Sequence, residues 1–195
     1  MKLLIIGNKE RYEKFRPDLP IYDESEKIFC PRGTSDQDLL KDGRDADVIL
    51  ADAITPVSAQ LIGQMPNLKM IHSEGVAFDK IDAAAAAARG IYACNNKGRT
   101  AGAVAEQAIL LMLGVLRSVV PGHQAVCQGK QIQMKERLMV AGITDLADCR
   151  IGLIGLGDIG KATAKRLAAF ECPCFYYSRH KRNAQEEAEC GVSYL

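Results

Sequence analysis

The chain has 195 residues, 48% of them hydrophobic and 25% charged, with 25 Lys and Arg against 24 Asp and Glu. That is enough apolar material for one domain or two small ones, and the near-neutral balance lacks the field by which nucleic acid or an anionic membrane is bound. With no apolar run long enough for a membrane span or a signal core, the composition implies a cytoplasmic globular protein with neither nucleic-acid nor membrane partners.

Short apolar, β-rich runs recur along the first half: Lys2–Gly7, Lys27–Cys30, Asp47–Ala51, Lys69–Ser73 and Ile91–Cys94. Helical stretches separate them, an order that predicts parallel strands joined by crossover helices. Thr55-Pro56 offers a capping hydroxyl and a first-turn proline, so a helix is expected from there to about Gln64. Asp79 is expected to cap the next helix, which passes through the alanine run Ala83–Ala88 and ends at Arg89-Gly90. Residues 1–98 therefore read as one flavodoxin-like α/β domain with a parallel sheet.

Ala103–Leu116 is apolar almost all round, as expected of a helix buried between domains, and marks the start of a second part over residues 99–195. Val120 to Asp148 mixes polar and apolar positions and reads as surface helix and loop. The seven cysteines include no C-x-x-C pair. That argues against a zinc site or a disulfide framework.

The sharpest local pattern lies in this second part. A strand, Cys149–Ile154, leads into Gly155-Leu156-Gly157-Asp158-Ile159-Gly160 and then a helical run, Lys161–Phe170. In that setting G-x-G-x-x-G binds a dinucleotide: Gly155 makes the tight turn, Gly157 lets the pyrophosphate approach, and Gly160 lets the helix lie close. The free N–H groups over Asp158 and Ile159 then favour phosphate charge. A tight βα turn with no ligand is the other reading of the same residues.

A second strand is expected at Cys174–Tyr177. NAD binders place an acidic side chain at the end of that strand to hold the ribose 2′-hydroxyl; here the position is Ser178, followed by Arg179-His180-Lys181-Arg182. A small hydroxyl with clustered cations suits a 2′-phosphate, so NADP(H) is expected over NAD(H). A solvated basic turn would look the same in sequence.

These pieces resemble the D-isomer-specific 2-hydroxyacid dehydrogenases. The segment from Ile71 to Asp82, Ile-His-Ser-Glu-Gly-Val-Ala-Phe-Asp-Lys-Ile-Asp, is similar to the family's S-x-G-V-G-x-D-x-I-D substrate loop. Asn95–Gly98 with Val104-Ala105-Glu106 resembles its linker, and Gly152–Gly160 its glycine motif. The resemblance implies reduction of a 2-keto acid to a D-2-hydroxy acid by NAD(P)H. It also implies that Gly75, Val76 and Ala77 offer backbone N–H groups to the substrate carboxylate, that Thr100 lies near the nicotinamide, and that the full-length protein is a homodimer.

Three positions depart from the family pattern: Ala77 and Ser178 replace a usual Gly and Asp, and Lys97 stands at a common Pro. The family's Arg, Glu and His, which polarise the carbonyl and supply the proton, lie beyond the second strand of its Rossmann domain. The expectation is thus an incomplete Rossmann domain with two strands, no catalytic residue in the chain, and an inactive fragment that needs a missing C-terminal half. His72, His123 and His180 stand in no motif that would replace that set. A non-enzymatic dinucleotide-binding, complementing or regulatory module is the alternative.

Overall fold

The computed structural model describes residues 1–195. In chain order the elements are β1 (Lys2–Ile6), α1 (Lys9–Lys14), α2 (Pro20–Asp23), β2 (Glu26–Cys30), α3 (Asp36–Gly43), β3 (Val48–Ala51), α4 (Ala59–Gln64), β4 (Met70–Ser73), α5 (Ala83–Ala88) and β5 (Tyr92–Cys94). They continue with α6 (Ala101–Leu116), α7 (Val119–Cys127), α8 (Gln131–Ala141), β6 (Ile151–Ile154), α9 (Asp158–Leu167), β7 (Cys174–Tyr177), α10 (Ala184–Cys190) and β8 (Ser193–Tyr194). The chain divides into two compact units, Met1–Lys97 and Gly98–Leu195.

The first unit is a five-stranded sheet in the order β2-β1-β3-β4-β5, parallel throughout. This is the flavodoxin-like winding. Its central strands are apolar at almost every position because helices cover both faces. Leu4, Ile49 and Ile71 pack with Leu61, Ile62 and Met65 on one side, while Leu3, Ile5 and Val48 meet Tyr12 and Tyr22 on the other. Fully burying each such Leu or Ile contributes about 1.5–3 kcal/mol.

Two helix starts differ from the sequence expectation. Helix α4 begins at Ala59, capped by Ser58, whose hydroxyl accepts from Leu61 N–H at 3.0 Å. Val57 is unavailable to the helix: its N–H donates to the Lys80 carbonyl and its own carbonyl accepts from Asp82 N–H, a parallel bridge that keeps the chain extended. The Thr55 hydroxyl is spent on Asp52 at 2.7 Å. The same bridge extends Ile81, so Asp82 rather than Asp79 caps α5, accepting from Ala85 N–H at 2.9 Å. Gly90 closes α5 at φ +68°, as its position after the alanine run implied.

In the second unit β6, β7 and β8 form a parallel sheet in that order. The expected pair of strands is therefore three, β8 pairing Ser193 and Tyr194 with Phe175 and Tyr176 after the α10 crossover. Helix α6 is also less buried than its composition suggested. Ala101, Ala105 and Ile109 face the core, but Leu110, Leu111 and Val115 are 61%, 60% and 79% exposed. Between α6 and β6 lie two helices, α7 and α8, whose Val120 and Val140 are also exposed. No single helix is long and apolar enough to cross a membrane.

One carboxylate ties three strands together at the N-terminal end of the first sheet. Asp47 accepts from the Lys69 ammonium at 2.8 Å and from Lys2 N–H at 2.9 Å. Both interactions, the Lys69 bond first, hold its carboxyl below the ordinary aspartate value. A lowered folded pKa adds stability above the unfolded value, near pH 4, that is lost as pH falls through the folded one. Asp47→Asn is therefore expected to lose less stability than the parent between pH 7 and pH 3, read from denaturant midpoints; equal acid losses would contradict this role.

Candidate functional site

Two loops at the C-terminal ends of parallel strands, after β4 and β6, carry most of the residues singled out in the sequence; Ser178 and Arg179 follow β7, and Thr100 precedes α6. In the second unit β6 runs into the glycine turn. Gly155 has φ +95°, a left-handed conformation that favours glycine, and its N–H donates to the Tyr177 carbonyl at 2.7 Å. Gly160 is demanded by space: a Cβ there would lie 2.4 Å from the Gly155 carbonyl oxygen. Helix α9 thus starts tight against the turn. A Cβ on Gly157 would meet nothing within 4 Å, and its φ of −86° suits any residue. The fold itself does not require glycine at 157.

The first helical N–H to find a partner is that of Lys161, which donates to the Gly157 carbonyl at 2.8 Å. The N–H groups of Asp158, Ile159 and Gly160 make no backbone bond and no side chain caps the helix. A helix N-terminus in this state favours an anion through its donors and its dipole. Lys161 also pairs with Glu186 of α10, and this contact raises the lysine and lowers the carboxyl relative to their ordinary values.

A groove of about 390 Å³ opens beside the turn, bordered by Gly155, Gly157, Ser178, Arg179 and Arg182. Ser178 stands just past the end of β7, and its hydroxyl donates to the His180 carbonyl at 2.7 Å. Arg179 is exposed at the rim. Arg182, which the sequence had offered only as one of a run of cations, reaches back to the Leu156 carbonyl at 3.3 Å, while its N–H donates to the buried Tyr176 hydroxyl at 2.7 Å. Its Nε is buried without a partner. An orphaned guanidinium donor, an open Gly157 and free helical N–H groups beside one groove fit the diphosphate and ribose of a dinucleotide.

Thr100, the residue before α6, has an exposed side chain that makes no capping bond. Its hydroxyl is free.

In the first unit the loop after β4 is clamped from one side. Glu74 N–H donates to the Ala51 carbonyl at 2.9 Å, and its carboxylate meets Arg11 of α1 at 2.5 Å. The Glu74 carbonyl accepts from Asn96 Nδ2 at 3.0 Å, and the Gly75 carbonyl from Asn96 N–H at 2.9 Å. The Val76 carbonyl accepts from Asn95 Nδ2 at 2.7 Å, and the Ala77 carbonyl from the Ser73 hydroxyl at 2.6 Å. The N–H groups of Gly75, Val76 and Ala77 make no hydrogen bond. Gly75 is fixed by crowding, since a Cβ would sit 2.4 Å from the Ala53 Cβ. Ala77 has no positive φ, which is why alanine is accommodated where the family pattern has glycine. His72 projects from β4, half-buried, and none of the three histidines is paired with a carboxylate.

A parallel sheet of flavodoxin order followed by a βαβ glycine turn is a two-part α/β arrangement suited to a dinucleotide and a small anion. Residues 11–189 match the family model described as "D-isomer specific 2-hydroxyacid dehydrogenase, catalytic domain", and the chain belongs to that family. It is 36% identical over 148 residues to a glyoxylate reductase of Thermofilum pendens, covering 76% of this chain and 43% of the relative. It is 32% identical over 180 residues to mitochondrial formate dehydrogenase 2 of Oryza sativa, covering 89% and 44%. The chain thus spans less than half the length of these two curated relatives.

Among solved structures, D-lactate dehydrogenase from Aquifex aeolicus, complexed with NAD and lactic acid, aligns with a TM-score of 0.79 at 23% identity. That alignment covers 99% of this chain and 55% of the other. A formate dehydrogenase from Granulicella aligns at 0.80 and 19% identity, over 100% of this chain and 63% of the other. At those identities the likeness is one of fold. The family is one of dehydrogenases, and the Aquifex enzyme is the one of these two structures described with NAD bound.

The two glycines of the turn separate fold from binding. Gly157→Ala is expected to leave stability within about 0.5 kcal/mol while weakening dinucleotide binding at least tenfold. Gly160→Ala should cost roughly 1–3 kcal/mol of stability because a backbone carbonyl must move. Thermal unfolding and dinucleotide titration of both variants measure this. Unchanged affinity in Gly157→Ala would contradict a diphosphate at the turn.

Proposed function

We propose that the second unit binds NADP(H) in preference to NAD(H), and that the first binds the carboxylate of a small 2-keto or 2-hydroxy acid. The reaction is reduction of the keto acid to a D-2-hydroxy acid. The observation that carries this reading is the set of unbonded N–H groups on both loops, at Asp158–Gly160 and at Gly75–Ala77. Main-chain donors hold an oxyanion with no counter-charge of their own, and they are already oriented.

In the second unit the turn and the first residues of α9 hold the diphosphate, and Ser178 and Arg179 receive the 2′-phosphate, the Ser178 hydroxyl turning from the His180 carbonyl to donate to it. The nicotinamide, when bound, supplies the hydride. In the first unit Gly75, Val76 and Ala77 orient the acid by its carboxylate. Thr100 is assigned to the cofactor side through its free hydroxyl.

Within these residues no histidine is paired with a carboxylate, so none has the partner that tunes an imidazole as proton donor to the developing alkoxide. We assign binding, not turnover, to the 195 residues alone. The exposed row Leu110, Leu111 and Val115 on α6 supports a homodimer in the full-length protein.

Titration of the purified chain should show tighter binding of NADPH than of NADH. Ser178→Asp should weaken NADPH on the order of tenfold, about 1.4 kcal/mol, and improve NADH. Tighter NADH binding by the parent chain would remove the assignment of Ser178 and Arg179. With glyoxylate and NADPH the chain should show no loss of absorbance at the nicotinamide band; steady consumption would overturn the binding-only assignment.

A further inference from the structure

The carboxylate-binding loop consists of three consecutive peptide groups, 74–75, 75–76 and 76–77. In a trans peptide the carbonyl and the N–H point in opposite directions, so fixing one aims the other. The three carbonyls of these groups are held by two adjacent residues: Asn96 through its side chain to Glu74 (3.0 Å) and its N–H to Gly75 (2.9 Å), and Asn95 through its side chain to Val76 (2.7 Å). Both asparagines come directly after β5, and so sit at a fixed height beside the end of β4.

We propose that Asn95 and Asn96 are positioning residues for the substrate carboxylate, acting through the loop rather than on the substrate. The inference rests on the reading that Gly75, Val76 and Ala77 receive that carboxylate. The pair acts in two ways. It turns three N–H groups outward together, a convergence that a free loop would lose to backbone entropy. It also polarises each peptide group, because a hydrogen bond accepted at the carbonyl strengthens donation by the N–H of the same unit. Asparagine suits both positions: it brings a neutral donor, so no cation competes for the anion, and it is short enough to hold the carbonyl closely.

Aspartate has the same shape and lacks the donor, so Asn96→Asp and Asn95→Asp each replace one clamp with a repulsive contact. The experiment is amide NMR of the full chain titrated with sodium glyoxylate. In the parent chain the N–H resonances of Gly75, Val76 and Ala77 are expected to move together, and the side-chain NH2 resonances of Asn95 and Asn96 with them. That coupled response is not expected of a residue with a merely structural role. Each variant should weaken glyoxylate about tenfold with its remaining spectrum unchanged. Movement of the loop amides without the asparagine side chains, and variants that bind within twofold of the parent, would overturn the clamp and leave the carboxylate assignment standing. No movement at residues 75–77 in the parent would overturn both. If a variant fails to fold, the side-chain response of the parent decides.

Discussion

Both candidate sites depend on main-chain N–H groups that the fold leaves unbonded. A parallel strand delivers its last peptide to the C-terminal edge of the sheet, and the next residues must either turn back or begin a helix. At Gly155–Gly160 the chain begins a helix, whose first N–H groups have no carbonyl behind them. At Gly75–Ala77 it turns, and its carbonyls are taken by Ser73, Asn95 and Asn96. Different local structures reach the same result: preset main-chain donors for an anion.

The glycines have different causes, and this matters for what can be inferred from them. Gly155 answers to its φ, Gly160 and Gly75 answer to neighbours 2.4 Å from a would-be Cβ, and Gly157 answers to nothing within the protein. Only the last is free of both demands, and it leaves open space beside it. The buried, unbonded Nε of Arg182 is likewise unanswered within the protein, and an orphaned donor costs stability unless something else satisfies it.

Much of this was legible in the sequence because parallel strands buried on both faces are nearly continuous apolar runs, as Leu3–Ile6 and Val48–Ala51 are. The glycine turn was legible because each of its requirements acts on neighbouring residues. What escaped was non-local. The Val57–Ile81 bridge, which moved two helix starts to Ala59 and Ala83, joins residues that only the fold brings together. Strand β8 is two residues long, too short for any periodicity. Composition alone implied burial all round α6, yet one face remains exposed at Leu110 and Val115. The reach of Arg182 back to Leu156, and of Asn96 across to Glu74, likewise had no sequence signature.

The most direct test of preset main-chain donors is amide NMR of the chain titrated with NADPH. The largest shifts are predicted at the N–H groups of Asp158, Ile159 and Gly160, moving in step with the Arg182 Nε proton as it gains a partner. Saturable NADPH binding that leaves these four resonances in place would contradict it.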